Sequence, residues 1–249
     1  MQEDSLLYEI RRRGILRVAV DFVPPPRYGY PPEFYIDEDT GKPSGFGCEL
    51  GRLMAQDLGV EVEFVNIPWP EQIPALLAGK VDVLPKHVNT PRRALEIEFA
   101  GRLLPYKTIA LVAVDGDIHD KADLNKHGRV ITCGYGASYR QAIERHFPLA
   151  SIREFADYDD MLTVVETYEA DACVNDIMTK AFMEKHKGLR VLADDRGAPL
   201  ILARDYAHPA IRPGDPRFLN WLNNWIDYHR AAGLLEYWCG EWWQSFMAV

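Results

Sequence analysis

Basic residues are scarce in this chain relative to acidic ones. Its 249 residues include 28 Lys and Arg against 37 Asp and Glu, which gives a formal net charge of −9. The basic run Arg11-Arg12-Arg13 is too short to form a surface for a polyanion. The composition therefore argues against nucleic acid as a partner.

Long apolar runs are also missing. No segment approaches the roughly 20 apolar residues that a helix needs to cross a bilayer. The start, Met1-Gln2-Glu3-Asp4, lacks the charged and apolar regions of a signal peptide. Two interpretations follow: the protein is cytoplasmic, or its signal peptide has been removed from this chain.

Cysteines and catalytic motifs are few. The four cysteines have neither CxxC spacing nor histidines at metal-ligand intervals, so we expect no zinc site. Cys133 and Cys173 fall in predicted strands, which favours buried free thiols and leaves disulfides open. The sequence contains no GxSxG, Walker A, HExxH or GxGxxG motif. We therefore expect no catalytic residue, metal or cofactor.

What the chain does contain is an alternation of strand and helix patterns, with 47% hydrophobic residues. Alternation of this kind is typical of parallel sheets flanked by helices, and the length favours two modest cores. Predicted strands are 16–20, 61–65, 81–84, 109–114, 129–133, 172–175 and 189–192. Predicted helices are 46–58, 71–78, 138–146, 158–168, 177–186, 216–232 and 234–246.

The most informative segment is 69–83, which leads to Arg93. Ile73, Leu76 and Leu77 fall on one predicted helical face, Gly79 ends the predicted helix, and an apolar strand follows. Helix, tight turn and strand would then lead into a loop that presents a guanidinium. A planar guanidinium can bind a carboxylate through two parallel hydrogen bonds.

Other short segments follow in a consistent order along the chain. They are residues 14–20 (GILRVAV), 37–46 (DEDTGKPSGF), 134–138 (GYGAS), 169–176 (EADACVND) and 233–238 (GLLEYW). Together with 69–83 and Arg93, they resemble family 3 of the extracellular solute-binding proteins. This is the polar amino-acid branch of the periplasmic binding proteins that serve ATP-driven importers, and the resemblance covers nearly the whole chain.

The resemblance implies an α/β chain with the two-lobed type II periplasmic-binding-protein fold. Each lobe is expected to hold a mainly parallel sheet flanked by helices. Lobe 1 would comprise 1–111 and 206–249, with lobe 2 inserted at 112–205 and a two-strand hinge near 110–114 and 201–209. The ligand would lie in the cleft between the lobes, whose closure would bury it.

The resemblance also implies roles for residues that bind an anion. Arg93 matches the family's carboxylate-binding arginine, with Arg92 as a weaker contender for the same role, and Asn89 and Thr90 precede it in the same loop. Ala137 and Ser138 lie before a predicted helix, whose N-terminus would favour the same carboxylate. The alternatives are a surface arginine at a helix start and an ordinary serine N-cap.

Two acidic residues are candidates for the ligand's ammonium group. Asp176 matches the family's ammonium-binding aspartate, and Asp21 directly follows the first predicted strand. The alternatives are a helix cap for Asp176 and a loop carboxylate for Asp21.

Side-chain preference is expected to depend on a second set of residues. The aromatic candidates are Tyr30, Phe34 and Trp69, which could pack against the ligand. Lys86 could meet a second ligand carboxylate or turn to solvent, whereas Glu33 would favour a cationic ligand. Because these two charges argue in opposite directions, a zwitterionic or polar ligand is the simplest compromise. We expect His87 to be structural or exposed rather than a titrating switch.

The resemblance implies a periplasmic, monomeric protein that binds an amino acid or related small carboxylate and delivers it to a membrane permease. On this interpretation, the signal peptide has been removed. One alternative is an enzyme like the cyclohexadienyl dehydratases, which share this fold and need a general acid in a dry cleft. A second alternative is the ligand-sensing module of a receptor.

Overall fold

Helices and strands alternate along the chain, as the sequence pattern predicts. The computed structural model describes residues 5–22, 29–30, 32–176 and 180–246. The helices are α1 (Leu6–Arg13), α2 (Phe46–Leu58), α3 (Gln72–Leu77), α4 (Lys121–Leu124), α5 (Tyr139–His146), α6 (Tyr158–Glu166), α7 (Lys180–Lys185), α8 (Pro216–Ala231), α9 (Leu234–Tyr237) and α10 (Trp243–Phe246). The strands are β1 (Ile15–Val20), β2 (Gly29–Tyr30), β3 (Phe34–Ile36), β4 (Pro43–Ser44), β5 (Glu61–Asn66), β6 (Leu84–Val88), β7 (Glu98–Phe99), β8 (Pro105–Ala113), β9 (Val130–Gly134), β10 (Ser151–Phe155), β11 (Ala172–Asn175), β12 (Leu189–Val191) and β13 (Ile201–Ile211).

The chain divides into two compact units. Unit 1 comprises Met1–Leu104 and Tyr206–Ser245, and unit 2 comprises Pro105–Asp205 and Phe246–Val249. The expected lobes differ from these units at residues 105–111 and 246–249. The first difference arises because β8, which begins at Pro105, pairs with β11 and β12 of unit 2. The limits of the functional lobes stay a prediction.

Unit 1 is organised around a short parallel ladder. Strand β1 pairs in parallel with β5, and Val18 of β1 forms a parallel bridge with Val83. Strand β6 pairs antiparallel with the second half of β13, which also pairs with β7. Leu16 and Val18 are fully buried because apolar residues on both sides of the ladder cover this strand.

Unit 2 has helices on both faces of its strands. Strand β9 pairs in parallel with β10 and β11, whereas β8 pairs antiparallel with β11 and β12. One apolar cluster contains Ile143 of α5 and Ile131 of β9, and a second contains Leu162 of α6 and Cys173 of β11. The predicted α/β class is confirmed, with mixed rather than mainly parallel pairing.

The predicted strand at 81–84 was wrong in its position, because the continuous ladder begins only at Leu84. Asp82 is fully buried, and its carboxylate accepts a hydrogen bond from the backbone N–H of Arg17 at 2.8 Å. Its side chain therefore takes the place of a ladder partner next to β1. Val83 forms a single bridge to β1, and the strand that follows, β6, pairs with β13 instead.

The predicted continuous helix at 234–246 is interrupted. A wide π turn at Trp238–Trp242 separates α9 from α10. After this turn Trp243 is buried and its ring lies edge-on to Phe46, with 5.8 Å between ring centroids. The extra residue in the turn rotates the last helix so that Trp243 reaches the core, a tertiary preference that helical periodicity does not reveal.

Several short elements were not predicted. Examples are α1, whose N-cap Ser5 accepts from the N–H of Leu7, and the strand β10 beside β9. The predicted helix at 177–186 is seen as α7, and residues 177–179 lie outside the described residues. Within the described part of the chain, no helix has the length and apolar character needed to cross a membrane.

The four cysteines are free thiols. Cys133 and Cys173 are buried, as predicted, and burial raises the pKa of each to about 12. Such thiols stay protonated and unreactive at neutral pH. Residues 5–22, 29–30, 32–176 and 180–246 contain no group of three or more His, Cys, Asp or Glu side chains placed to hold a metal ion.

Candidate functional site

A buried ion pair lies among aromatic rings in unit 1. The ammonium of Lys86, in β6, pairs with the carboxylate of Glu33, and these residues are only 4% and 6% exposed. The same ammonium lies 5.1 Å from the ring centroid of Phe34 and 5.3 Å from that of Trp69. These distances are within the range of cation–π attraction. We call Glu33, Phe34, Trp69 and Lys86 the Lys86 cluster.

Glycines at the start of α2 position one side of this cluster. Gly45 has a φ of +104°, and a Cβ there would lie 2.5 Å from the carbonyl oxygen of Glu33. A Cβ on Gly47 would lie 2.0 Å from the ring of Phe34. Two residues without side chains therefore let the Glu33-Phe34 segment pack directly on the helix.

The ion pair changes the interpretation of two predicted residues. From the sequence alone, Lys86 and Glu33 indicate opposite preferences for the charge of the ligand. In the structure they neutralise each other, so neither presents an isolated charge. The alternative in which Lys86 turns to solvent was wrong, because Glu33 and two aromatic rings hold its ammonium in the interior.

Trp69 and His87 form a parallel stack. Their ring centroids are 4.1 Å apart and the ring planes differ by 10°. His87 is 2% exposed, and its Nδ1 has no hydrogen-bond partner among the described residues. Burial, with the positive charges of Arg93 and Lys86, holds the pKa of His87 well below its usual range. His87 is therefore a neutral packing residue that covers one face of Trp69.

Arg93 lies in a 3-10 turn after β6. One guanidinium nitrogen donates to the carbonyl of Val88 at 3.0 Å, and the Arg93 backbone N–H donates to Thr90 Oγ1 at 3.2 Å. The guanidinium carbon is 5.7 Å from the ring centroid of Trp69. Arg93 is half-buried and Thr90 buried, whereas Asn89 is exposed. The surface-arginine alternative is thus disfavoured by contacts that orient this side chain.

Asp21 and the aromatic candidates have structural contacts of their own. Asp21 accepts a hydrogen bond from the backbone N–H of Trp69 at 2.9 Å, and burial raises its pKa. Phe34 packs with Val20 and Cys48 in the core of unit 1. The side chain of Tyr30 lies outside the described residues.

Asp176 in unit 2 belongs to a hydrogen-bonded group of side chains in which Asp176 and Tyr139 are buried and Tyr158 is half-buried. The hydroxyl of Tyr139 donates to Asp176 Oδ1, and the hydroxyl of Tyr158 donates to Tyr139 at 3.2 Å. Burial and the neighbouring carboxylate raise the pKa of Tyr139 well above its usual value, so it remains a donor. Neither tyrosine was predicted from the sequence to belong to the site. Their only signal was an aromatic residue at the start of each predicted helix, which usually indicates packing.

Ser138 precedes α5 but does not cap it. Its backbone is helical, with φ −68° and ψ −14°, and its side chain makes no capping hydrogen bond within the described structure. The ordinary N-cap alternative was therefore wrong. The N–H of the preceding Ala137 already donates to the carbonyl of Gly134 at 3.2 Å. Ser138 thus offers its hydroxyl where the first N–H groups of α5 have no helical acceptor.

Comparison with known proteins extends these observations. Residues 26–245 match the profile of the bacterial extracellular solute-binding proteins, family 3. The L-cystine-binding protein TcyJ of Escherichia coli (strain K12) is 24% identical over 246 residues, covering 96% of this chain and 86% of that protein.

Two solved structures have the same fold. The ancestral amino acid-binding protein AncCDT-1, a precursor of cyclohexadienyl dehydratase, is 32% identical with a TM-score of 0.77, covering 93% of this chain and 96% of that one. Holo ArgBP from T. maritima is 24% identical with a TM-score of 0.74, covering 93% and 98%. These similarities confirm the resemblance carried by the short segments and the two-lobed α/β fold class. The chain belongs to family 3 of the bacterial extracellular solute-binding proteins.

Proposed function

We propose that this protein is the periplasmic substrate-binding component of an ATP-driven importer and that it binds an amino acid or a related small zwitterion. The observation that carries the proposal is the match of residues 26–245 to a family of extracellular solute-binding proteins. Two relatives support the substrate class: TcyJ is named for L-cystine, and AncCDT-1 is described as a cationic amino acid solute-binding protein.

Arg93 is the proposed carboxylate-binding residue. Its hydrogen bond to the carbonyl of Val88 and its contact with Trp69 restrict the guanidinium before a ligand binds. Preorganisation of this kind reduces the entropy lost on binding. Asn89 and Thr90 would contribute to the same loop contact.

Asp176 and Ser138 are the proposed contacts from unit 2. Asp176 keeps its charge available to an ammonium group because Tyr139 donates to it rather than competing as an acceptor. Ser138 and the N–H groups at the start of α5 would donate to the ligand carboxylate, with Ala137 lining the same place. Asp21 is the weaker candidate for the ammonium, since burial raises the pKa of its carboxyl and so disfavours the charged form.

The remaining parts of the proposal concern partners and location. The protein would work as a monomer outside the inner membrane, after removal of a signal peptide, and deliver its ligand to a permease. Light scattering during size-exclusion chromatography, with and without ligand, tests the monomer. Uptake of labelled ligand by permease-containing vesicles tests the delivery.

We propose a binding protein rather than an enzyme. The alternative function is that of a dehydratase, because AncCDT-1 is described as a precursor of cyclohexadienyl dehydratase. Incubation with prephenate and with arogenate, followed by detection of phenylpyruvate and phenylalanine, distinguishes the two functions. Formation of either product above the uncatalysed rate would contradict a pure binding role.

The test of binding is a thermal-shift screen against the proteinogenic amino acids, other zwitterions, opines, dicarboxylates and prephenate. A ligand that binds only the folded state raises the melting temperature by mass action. Calorimetric titration would then give the affinity and stoichiometry of each hit. Protein that was unfolded and refolded to remove co-purified ligand serves as the control. Absence of binding by that protein to every compound would contradict the proposal.

A further inference from the structure

We propose that Glu33, Phe34 and Trp69 form a cation-binding site that the chain fills with its own Lys86, so that the imported ligand carries no cationic side chain. This inference deepens the proposed function and rests on it for the identity of the ligand as an amino acid. The cation site itself rests only on contacts within unit 1.

The geometry of the Lys86 cluster is that of a cation-binding site. A carboxylate contacts the ammonium directly, and two aromatic rings place their centroids 5.1 Å and 5.3 Å from it. All three contacts favour a positive charge, whether an alkylammonium or a guanidinium carries it. Here the positive charge arrives on a side chain from β6 rather than on a ligand.

Burial makes this occupancy obligatory. Glu33 is 6% exposed, and an ionised carboxylate away from water needs a positive partner to remain charged. Lys86 supplies that partner from within the chain at no cost in translational entropy, whereas a free ligand would have to lose that entropy on binding. A free cation therefore cannot compete with the tethered ammonium.

Nearby charges add to the exclusion. The guanidinium of Arg93 lies 5.7 Å from the same Trp69 ring, so two positive charges already flank this indole. Because Glu33 already pairs with Lys86, a positively charged ligand side chain at this place would gain no such carboxylate partner and would be repelled by Arg93. His87 cannot offset this repulsion, because its neutral ring is stacked on Trp69. A neutral side chain meets no such repulsion.

Chemical rescue tests the cation site without any amino acid. Lys86→Ala removes the ammonium and leaves room for n-butylammonium, which should raise the melting temperature of this variant by about 2–4 °C at saturating concentrations. The wild type should not respond, because Lys86 occupies the site. Neither should Lys86→Ala/Glu33→Gln, which lacks the carboxylate, nor Lys80→Ala, which removes an exposed lysine of the same unit.

Amino-acid titrations test the consequence for the ligand. The wild type should bind L-lysine and L-arginine at least about tenfold more weakly than L-norleucine and L-citrulline, which have similar shapes without the charge. Lys86→Ala should gain affinity for the cationic pair by about tenfold or more. Wild-type protein that binds L-lysine or L-arginine as tightly as the neutral counterparts would overturn the inference.

The two arms separate the inference from the proposed function. Butylammonium rescue without binding of any amino acid would support the cation site and contradict the importer function. Amino-acid binding by the wild type, with no effect of butylammonium on folded Lys86→Ala, would support the importer function and contradict the cation site. Should Lys86→Ala fail to fold with butylammonium present while Lys86→Ala/Glu33→Gln folds, the cation site is likewise overturned. If neither variant folds, the wild-type comparison of charged and neutral amino acids decides.

Discussion

The hydroxyl of Tyr139 donates a hydrogen bond to the carboxylate of Asp176, and both residues are buried in unit 2. The donor lies at the first position of α5, and the acceptor follows β11. A hydrogen bond to a carboxylate favours its charged form and limits its rotation. Tyr139 therefore orients the proposed ammonium-binding aspartate, a contact that was not predicted from the sequence.

Tyr139→Phe should weaken ligand binding by about tenfold, because loss of a hydrogen bond to a charged group costs about 1.5–3 kcal/mol and part of that loss is carried by folding. Calorimetric titration with the ligand from the thermal-shift screen measures the effect. Tyr135→Phe is the matched control, since Tyr135 is 57% exposed and lies in the loop four residues before Tyr139. Equal affinities for Tyr139→Phe and wild type would remove Tyr139 from the site.

Arg93→Ala should weaken binding by about 2–5 kcal/mol, because it removes one member of a desolvated charge pair with the ligand carboxylate. Arg93→Lys should recover only part of this loss, since an ammonium cannot make two parallel hydrogen bonds to a carboxylate. Both affinities are measured by calorimetric titration. Arg92→Ala, at the exposed neighbouring residue, controls for the change in net charge. A similar loss in Arg92→Ala would show that the effect is not specific to Arg93 and would contradict its assignment as the carboxylate-binding residue.

Asp82→Asn should lower the free energy of unfolding by about 2–3 kcal/mol, less than for a fully buried ion pair because its arginine partners are partly exposed. Asp82 accepts from Arg17 Nη2 at 2.8 Å and also contacts Arg13, so the variant leaves two guanidinium groups without a buried anion. Urea denaturation gives the value. Asp39→Asn, at an exposed loop residue, should change it little. If Asp82→Asn lowers the free energy of unfolding by less than about 0.5 kcal/mol, β1 is held by its apolar residues alone.

His87 should make stability depend on pH below neutrality. Burial keeps the pKa of His87 well below 6.5 in the folded state, whereas the unfolded chain binds a proton near pH 6.5. The unfolded state therefore holds more protons in acid. The contribution of His87 is complete above about pH 6.5 and is lost as the pH falls from there toward the folded-state pKa.

His87→Phe keeps a ring against Trp69 and cannot titrate. When the pH is lowered from about 7.5 to about 5, the unfolding free energy of the wild type should fall by up to about 2 kcal/mol more than that of His87→Phe. Urea denaturation at the two pH values measures the difference, with His127→Phe at an exposed position as the control. The same pH dependence in wild type and His87→Phe would contradict a buried neutral imidazole.

The strands and helices that sequence patterns predicted best are those with a strong local signal. Helix α2 was predicted with its observed ends because apolar spacing and Gly59 mark both its face and its stop. The strand at 81–84 was misplaced because its pairing depends on Asp82, whose buried contacts with Arg13 and Arg17 come from a distant part of the chain. The last predicted helix is interrupted for a similar reason, because Trp243 packs against the distant Phe46.

Candidate binding residues show the same division. The sequence by itself determined the family, the α/β class and the choice of Arg93, Ser138 and Asp176, because residue type and order along the chain carry that information. Only the tertiary structure decided that Lys86 and Glu33 neutralise each other, that His87 covers Trp69 and that Tyr139 orients Asp176. The residues in these contacts are separated by 18 to 53 positions along the chain. Their energies depend on distance, burial and direction, which exist only once the chain has folded.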